Sequence, residues 1–530
     1  MTFDLISWMP EGFFLLSLLG LLCYGITPGA TPFCERLAVP LYCLNITEDQ
    51  DLSHKNVTNL DQKNQIMFAT SGPTHSASFL GIWAISWCFI NFLLVLNCPF
   101  HTLIAGGVFL RDEFTVQLTS TLWLFATAVL IMGLSWQKVA GIVHPEYITL
   151  TLLAIIGQHL LICSTDLIAM YMCLELQSFA IVVLCSLNYR STYSIEAGMK
   201  YFLLSAFSSC LLLLGIGLIY WETGTTQCSY LIEFLHTTNQ QNNANITLWL
   251  GVWLVSLGLL WKLSAAPLHL WVADVYMGAW SSVTLFLSTL PKIAVLGFWL
   301  HTWHPVWSAT FDSTLMIFSA LSLMVGAVAP LGQTILKRLL ALSSVGHMGF
   351  ILIALSAGSE AFGALLTYLA LYLITNLGIW GLIMWPINRA NQKLSGPQYI
   401  WDLVGFNQTA PAAAAAWAGI MLSLAGLPPV AGFLGKLGLF WWALNSHLYL
   451  LVAVGLVSTL LSTIYYLRIL KIAYVDTPMN WASYGKIATS NAYLIAIAWG
   501  CLAVILWHGS PIILASHIIT LACSFKLNLI

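Results

Sequence analysis

The chain has 530 residues, of which 59% are hydrophobic and only 7% charged, with a formal net charge of -2 at neutral pH. Soluble domains carry roughly 25% charged residues, so this composition excludes a water-soluble globule. A near-neutral balance with no basic run also excludes nucleic acid as a partner.

A membrane crossing takes about 20 apolar residues, and such stretches recur from Gly12 almost to the C-terminus. The predicted fold is all-α, a polytopic membrane protein of roughly fourteen crossings. The start, MTFDLISWMPEGFFLL, carries Asp4 and Glu11 but no Lys or Arg. It therefore lacks the pattern of a secretory signal or an Arg-rich transit segment.

In chain order, a first crossing is expected over 12–26, followed by a polar insert over 44–68 that must lie outside hydrocarbon. Apolar runs over 77–96, 102–110, 116–134 and 149–163 read as the next crossings, and 167–187, 199–221 and 246–271 as three more. A second polar insert, 222–247, ends in the Gln/Asn-rich TTNQQNNANIT and reads as surface. Crossings then follow at 281–303, 314–331, 341–357 and 361–385. The stretch 412–444 is interrupted by Pro428 and Pro429, and the last crossings are expected at 450–467, 492–506 and 512–523. Lys and Arg are too sparse between the runs to set an orientation. The twelve cysteines are scattered with no CxxC pair, so they read as small core hydrophobes and not as cluster or metal ligands.

Charge within these runs is costly, by about 2.5–3.5 kcal/mol per residue on insertion scales, and so demands a reason. Four charges stand out: Glu175 in LIAMYMCLELQSFAIVVLCSL, Lys262 in WLGVWLVSLGLLWKLSAAPLHLW, Lys292 in SSVTLFLSTLPKIAVLGFWLHTW, and Lys436 in LAGLPPVAGFLGKLGLFWW. Burial and a nearby carboxylate pull a lysine's proton affinity in opposite directions, which makes such a set able to pass a proton. Three lysines exceed what one carboxylate can neutralise, which favours a relay over a static ion pair.

Proline supplies no backbone N–H, so Pro267 should free the carbonyl of Leu263, while Pro428 and Pro429 should free those of Leu424 and Ala425. Two helices are expected to break there, each beside a buried lysine. Irregular backbone at membrane depth is tolerated where it is protein-buried or lines a wet cavity, a pattern common in transporters. His269 follows the first break, and Ser343, Ser344 and His347 lie in LALSSVGHMGF. Both histidines could accept and donate protons between the charges.

These peptides carry a family resemblance. STDLIAMYMCLELQSFAIVVLCSLNYRSTYSIEAGMKYFLLSAFSS, WKLSAAPLHLWVADVYMGAW, STLPKIAV, RLLALSSVGHMGFILIAL and SLAGLPPVAGFLGKLGLFWW resemble, in order, helices five and six, broken helix seven, and helices eight, ten and broken twelve of complex I subunit 2. That subunit is one of the antiporter-like membrane-arm subunits of the proton-pumping NADH:ubiquinone oxidoreductase. The likeness runs over about 145–442. It departs at Ala273 and Trp280, where relatives typically carry proline.

The resemblance implies two inverted five-helix repeats, each with one broken helix. N-terminal helices would occupy 1–144, the repeats 145–303 and 304–470, and C-terminal helices 471–530. It implies a proton path through Glu175, Lys262, Lys292 and Lys436, with His269 and His347 as the histidines. It further implies partners among the other complex I subunits, especially neighbouring antiporter-like and small membrane-arm subunits, together with membrane lipids. NADH, FMN, iron–sulfur clusters and ubiquinone would belong to those subunits, and no redox centre is expected in this chain. A mitochondrial inner membrane is the expected location, with a bacterial plasma membrane as the alternative. A cation/proton antiporter outside complex I is the competing function, and a haem-bearing electron carrier a remote one.

Overall fold

In hydrocarbon no water is available to satisfy backbone N–H and C=O groups, so each crossing must close its hydrogen bonds within itself as a helix. A computed structural model describes residues 8–22, 74–99, 102–140, 145–189, 191–240, 246–308, 312–388, 396–428, 430–477, 483–485 and 487–507. Among these, eleven helices are long and apolar enough to cross a membrane. The expected insert over 44–68, the residue Pro429 and the expected crossing over 512–523 lie outside the described residues.

Helix α1 (Met9–Leu22) is followed by α2 (Thr74–Leu96), α3 (Glu113–Ala140) and α4 (Pro145–Cys163). Next come α5 (Leu167–Ser186), α6 (Thr192–Thr223), a short surface helix α7 (Cys228–Gln240) and α8 (Ile246–Leu263). A break separates α8 from α9 (Leu270–Gly278), after which α10 (Ser281–Phe298) continues through a π-turn at Trp299–Trp303. The second half holds α11 (Asp312–Val328), α12 (Leu336–Ser356) and α13 (Phe362–Ile383). It closes with α14 (Pro411–Ala425), a break, α15 (Ala431–Asn445), α16 (Tyr449–Tyr474) and α17 (Thr489–Trp507).

From α4 onward the crossings run straight, straight, straight, broken, straight, and from α11 the same order repeats. Helix α10 sits at the centre, every residue from Ser281 to Phe298 buried. The outer helices α6 and α16 show apolar faces outward, as lipid contact requires.

Two expectations are corrected. The run 102–110 is a hairpin of β1 (Thr102–Ile104) and β2 (Phe109–Arg111), and not a crossing. Gly106 and Gly107 take positive φ of 69° and 93° at its turn, a conformation glycine enters without a Cβ clash. The runs 246–271 and 412–444 each split into two helices, at the breaks expected from their prolines. The insert 222–247 contributes helix α7 and is not purely loop.

Helix α1 is tied in by charge. Glu11, its one buried carboxylate, pairs with the buried guanidinium of Arg111 at the end of β2. His159 Nε2 on α4 lies 3.1 Å from the same carboxylate oxygen. The indole N–H of Trp123 donates to His159 Nδ1 at 3.2 Å, so the ring proton sits on Nε2 and points at Glu11.

Candidate proton path

The prolines determine where this site forms. Helix α14 ends at Ala425, and Gly426 at its C-cap turns the chain with φ of 76°. Leu424 and Ala425 are the two carbonyls expected to lose their partners, and both are occupied by one side chain: Lys436 Nζ donates to Leu424 O at 2.9 Å and to Ala425 O at 2.8 Å. The lysine is 4% exposed, and its ammonium also lies 5.1 Å from the ring centre of Phe350. The break thus supplies acceptors for the amine where the membrane offers no water, and among the described residues no carboxylate pairs with it.

Lys292 solves the same problem differently. It follows Pro291 inside α10 and is 3% exposed. Its Nζ donates to the hydroxyl of Tyr372 on α13 at 2.6 Å.

Between these lysines stands His347 on α12. Its Nδ1 is 2.7 Å from the Tyr368 hydroxyl and its Nε2 is 3.2 Å from the Tyr466 hydroxyl. A hydroxyl can donate or accept, so either ring nitrogen can carry the proton, and exchanging tautomers moves it from one side of the ring to the other. His159 contrasts with it: a donor-only indole fixes its tautomer.

Two cavities flank this histidine, each of about 10 Å³, room for about one water. The first is lined by Ser344, Tyr372 and Asn376, on the Lys292 side. The second is lined by Lys436, Ser458, Ser462 and Tyr466. Ser343 and His347 line both. Lys292 meets Tyr372, and His347 meets Tyr368 and Tyr466, by direct hydrogen bonds, while the gaps from Tyr372 to His347 and from His347 to Lys436 are occupied by these two small cavities, each with room for about one water.

The first half is less closed. Lys262 ends α8 and is 9% exposed, and its Nζ has no hydrogen-bond partner. Glu175 on α5 and Lys262 form no direct ion pair among the described residues. Glu175 is only partly buried, and its Oε2 accepts from Ser178 Oγ at 3.3 Å. His269 stands at the half-exposed N-cap of α9, and its Nδ1 has no hydrogen-bond partner. The structure brings Lys292, His347 and Lys436 into one region around two shared cavities, shows no hydrogen bond or ion pair between Glu175 and Lys262 among the described residues, and gives His269 no hydrogen bond to any of these charges.

The tyrosines Tyr368, Tyr372 and Tyr466 are the functional residues that sequence reasoning passed over. In apolar helices a tyrosine reads as core, and its signal appears only through its hydroxyl, which must find a partner when buried.

Comparison with known proteins bears on the same region. The family described as NADH:quinone oxidoreductase/Mrp antiporter, transmembrane, matches residues 164–462. The chain is 38% identical over 375 residues to the NADH-quinone oxidoreductase subunit N of Rhodospirillum rubrum, covering 70% of this chain and 76% of that protein. It is 33% identical over 430 residues to the NADH-ubiquinone oxidoreductase chain 2 of Oenothera berteroana, covering 80% and 87%. Among solved structures, a chain of respiratory complex I from Thermus thermophilus superposes with a TM-score of 0.69 at 25% identity, covering 83% of this chain and 96% of that one. A chain of the Mrp complex from Dietzia shares the fold, with a TM-score of 0.70 at 18% identity over 97% of each chain.

Proposed function

The chain belongs to the NADH:quinone oxidoreductase/Mrp antiporter transmembrane family, and on that footing we propose that it is a proton-translocating membrane-arm subunit of NADH:quinone oxidoreductase. Protons move along Glu175, Lys262, Lys292, His347 and Lys436. NADH oxidation and quinone reduction take place in other subunits, which hold the FMN and the iron–sulfur clusters. This chain contributes no redox centre.

The observation that carries the proposal is a set of buried polar contacts in one region: Lys292 on Tyr372, His347 between Tyr368 and Tyr466, and Lys436 on two carbonyls of the broken helix, with His347 lining both small cavities between them. A purely structural ion pair needs none of it, since neither lysine has a carboxylate on it. The repeated order of crossings supports two repeats, over 145–303 and 304–470. Five crossings each, an odd number, would start the second repeat on the opposite face of the membrane, which inverts it.

Glu175 adds a requirement. A carboxylate at mid-membrane that is partly exposed on the isolated chain needs a covering neighbour. The α5 face is therefore placed against another membrane subunit of the complex. His269 lies off the central chain and serves the hydrated approach to Lys262. The membrane is the mitochondrial inner membrane or a bacterial plasma membrane.

Purifying the tagged chain from detergent-solubilised native membranes tests the assignment. NADH-oxidising subunits should come with it in constant proportion. A particle containing only other antiporter-like chains, with no NADH oxidation, would instead support the cation/proton antiporter.

A further inference from the structure

Helix α9, the second half of the first broken helix, has nine residues and cannot hold its place by length alone. Three fixtures grip it. Trp271 Nε1 donates to the carbonyl of Trp261 at 3.2 Å, tying α9 to the residue before Lys262. Gly278 lies against α6 so closely that a Cβ there would stand 2.3 Å from the Tyr193 carbonyl oxygen. Lys337 Nζ, from the first turn of α12, donates to Ala279 O, which caps α9, at 2.9 Å.

Asp274 faces two helices at once. Its Oδ2 accepts from Lys200 Nζ on α6 at 2.8 Å, and its Oδ1 lies 3.8 Å from Arg338 Nη2 on α12. Lys200 is shared with Glu196, at 2.6 Å, one helical turn away. The carboxylate is thus divided between the first half of the chain and the helix that carries Ser343, Ser344 and His347. Helix α12 runs unbroken from Leu336 to Ser356, so a shift at Arg338 reaches His347, nine residues on, as a rigid displacement.

We infer that Asp274 is a positioning residue that couples the two halves, linking the Lys262 end of the broken helix to the placement of His347 through Arg338. It touches no proton on the path. Asp274 acts through α9, Trp271 and Trp261 on one side and through α12 on the other. The inference rests on the proton-path reading above, since without a relay through His347 there is nothing to position. Ion pairs this exposed add little to stability, so the effect falls on coupling and not on folding.

The test compares five variants in the intact, membrane-embedded complex: Arg338→Gln, Asp274→Glu, His347→Ala, Lys436→Ala, and Arg338→Gln combined with His347→Ala. Arg338→Gln cuts the α12 side alone and leaves Asp274 paired with Lys200 on α6. It is expected to assemble at normal levels and to oxidise NADH with an artificial acceptor at the unmodified rate. It should also lower protons pumped per NADH by about twofold or more. Asp274→Glu, which keeps the charge, should pump nearly as the unmodified complex does. Arg338→Gln combined with His347→Ala should pump no less than His347→Ala alone, because both act at one place; a further independent loss would contradict the coupling. If Arg338→Gln pumps normally while Lys436→Ala does not, the positioning role is overturned and the relay stands. If Lys436→Ala also pumps normally, the relay itself fails.

Discussion

Gly432→Ala is expected to remove most of the assembled chain from the membrane. Gly432 opens α15 directly against α14, where an added Cβ would stand 1.8 Å from the Ser423 carbonyl oxygen. The obstacle is backbone, so no rotamer change relieves it. Overpacking typically costs about 1–3 kcal/mol, and a clash with main chain belongs at or above the upper end. The damage is local to the second broken helix. Pushing the halves apart draws Lys436 away from Leu424 O and Ala425 O and leaves a buried ammonium without acceptors. Gly438→Ala on the same helix is the control, since its added Cβ would meet nothing nearer than the Ala364 methyl at 3.7 Å. Quantifying intact complex on native gels should show near-complete loss for the first variant and near-normal levels for the second. Equal levels would mean that the two half-helices are not packed as described.

Lys436→Ala should assemble but lose proton transfer through this chain by about 10²-fold or more, the lower end of what one acid–base group commonly supplies. The alanine leaves two carbonyls facing a cavity that already holds about one water's volume. Water can enter to satisfy them, which is why assembly survives. What water cannot supply is a side chain that binds a proton and later releases it at a fixed place beside Tyr466 and His347. Glu175→Ala should give the same phenotype by removing the one carboxylate of the proposed path. Lys292→Ala should be milder, because Tyr372, Ser344 and Asn376 remain around the space it vacates. Pumping is followed as acidification in vesicles, normalised to NADH oxidation. Unchanged pumping in assembled Lys436→Ala would remove this residue from the path.

Much of this was legible in the sequence, for a definite reason. A charge in an apolar run and a proline in such a run are both visible one residue at a time, and both are expensive enough to need an explanation. Those two signals located Glu175, Lys262, Lys292, Lys436 and both breaks. They even identified Leu424 and Ala425, whose freed carbonyls hold Lys436.

Other features were not legible, because they depend on which face a residue presents. The tyrosines that bridge the lysines are indistinguishable in sequence from Tyr201 or Tyr276, which lie in similar apolar helices. The partial exposure of Glu175 cannot be read from α5, whose apolar residues run all around it. The hairpin at 102–111 reads as a crossing in sequence because LIAGGVFL is apolar throughout. Its glycine pair was the only sign of a turn. The sequence offers His269 and His347 alike as polar residues between the charges, yet His269 caps α9 with no hydrogen bond to Lys262 or Glu175, while His347 sits between two tyrosine hydroxyls.

Ordered water decides whether the polar chain is connected. A density map of the intact complex, fine enough to place single waters, should show one in each cavity beside His347. One should bond within reach of Ser344 and Tyr372, the other within reach of Lys436 and Ser458. Cavities that are empty, or closed by apolar side chains, would leave Lys292 and Lys436 isolated from each other and contradict a proton path through this chain.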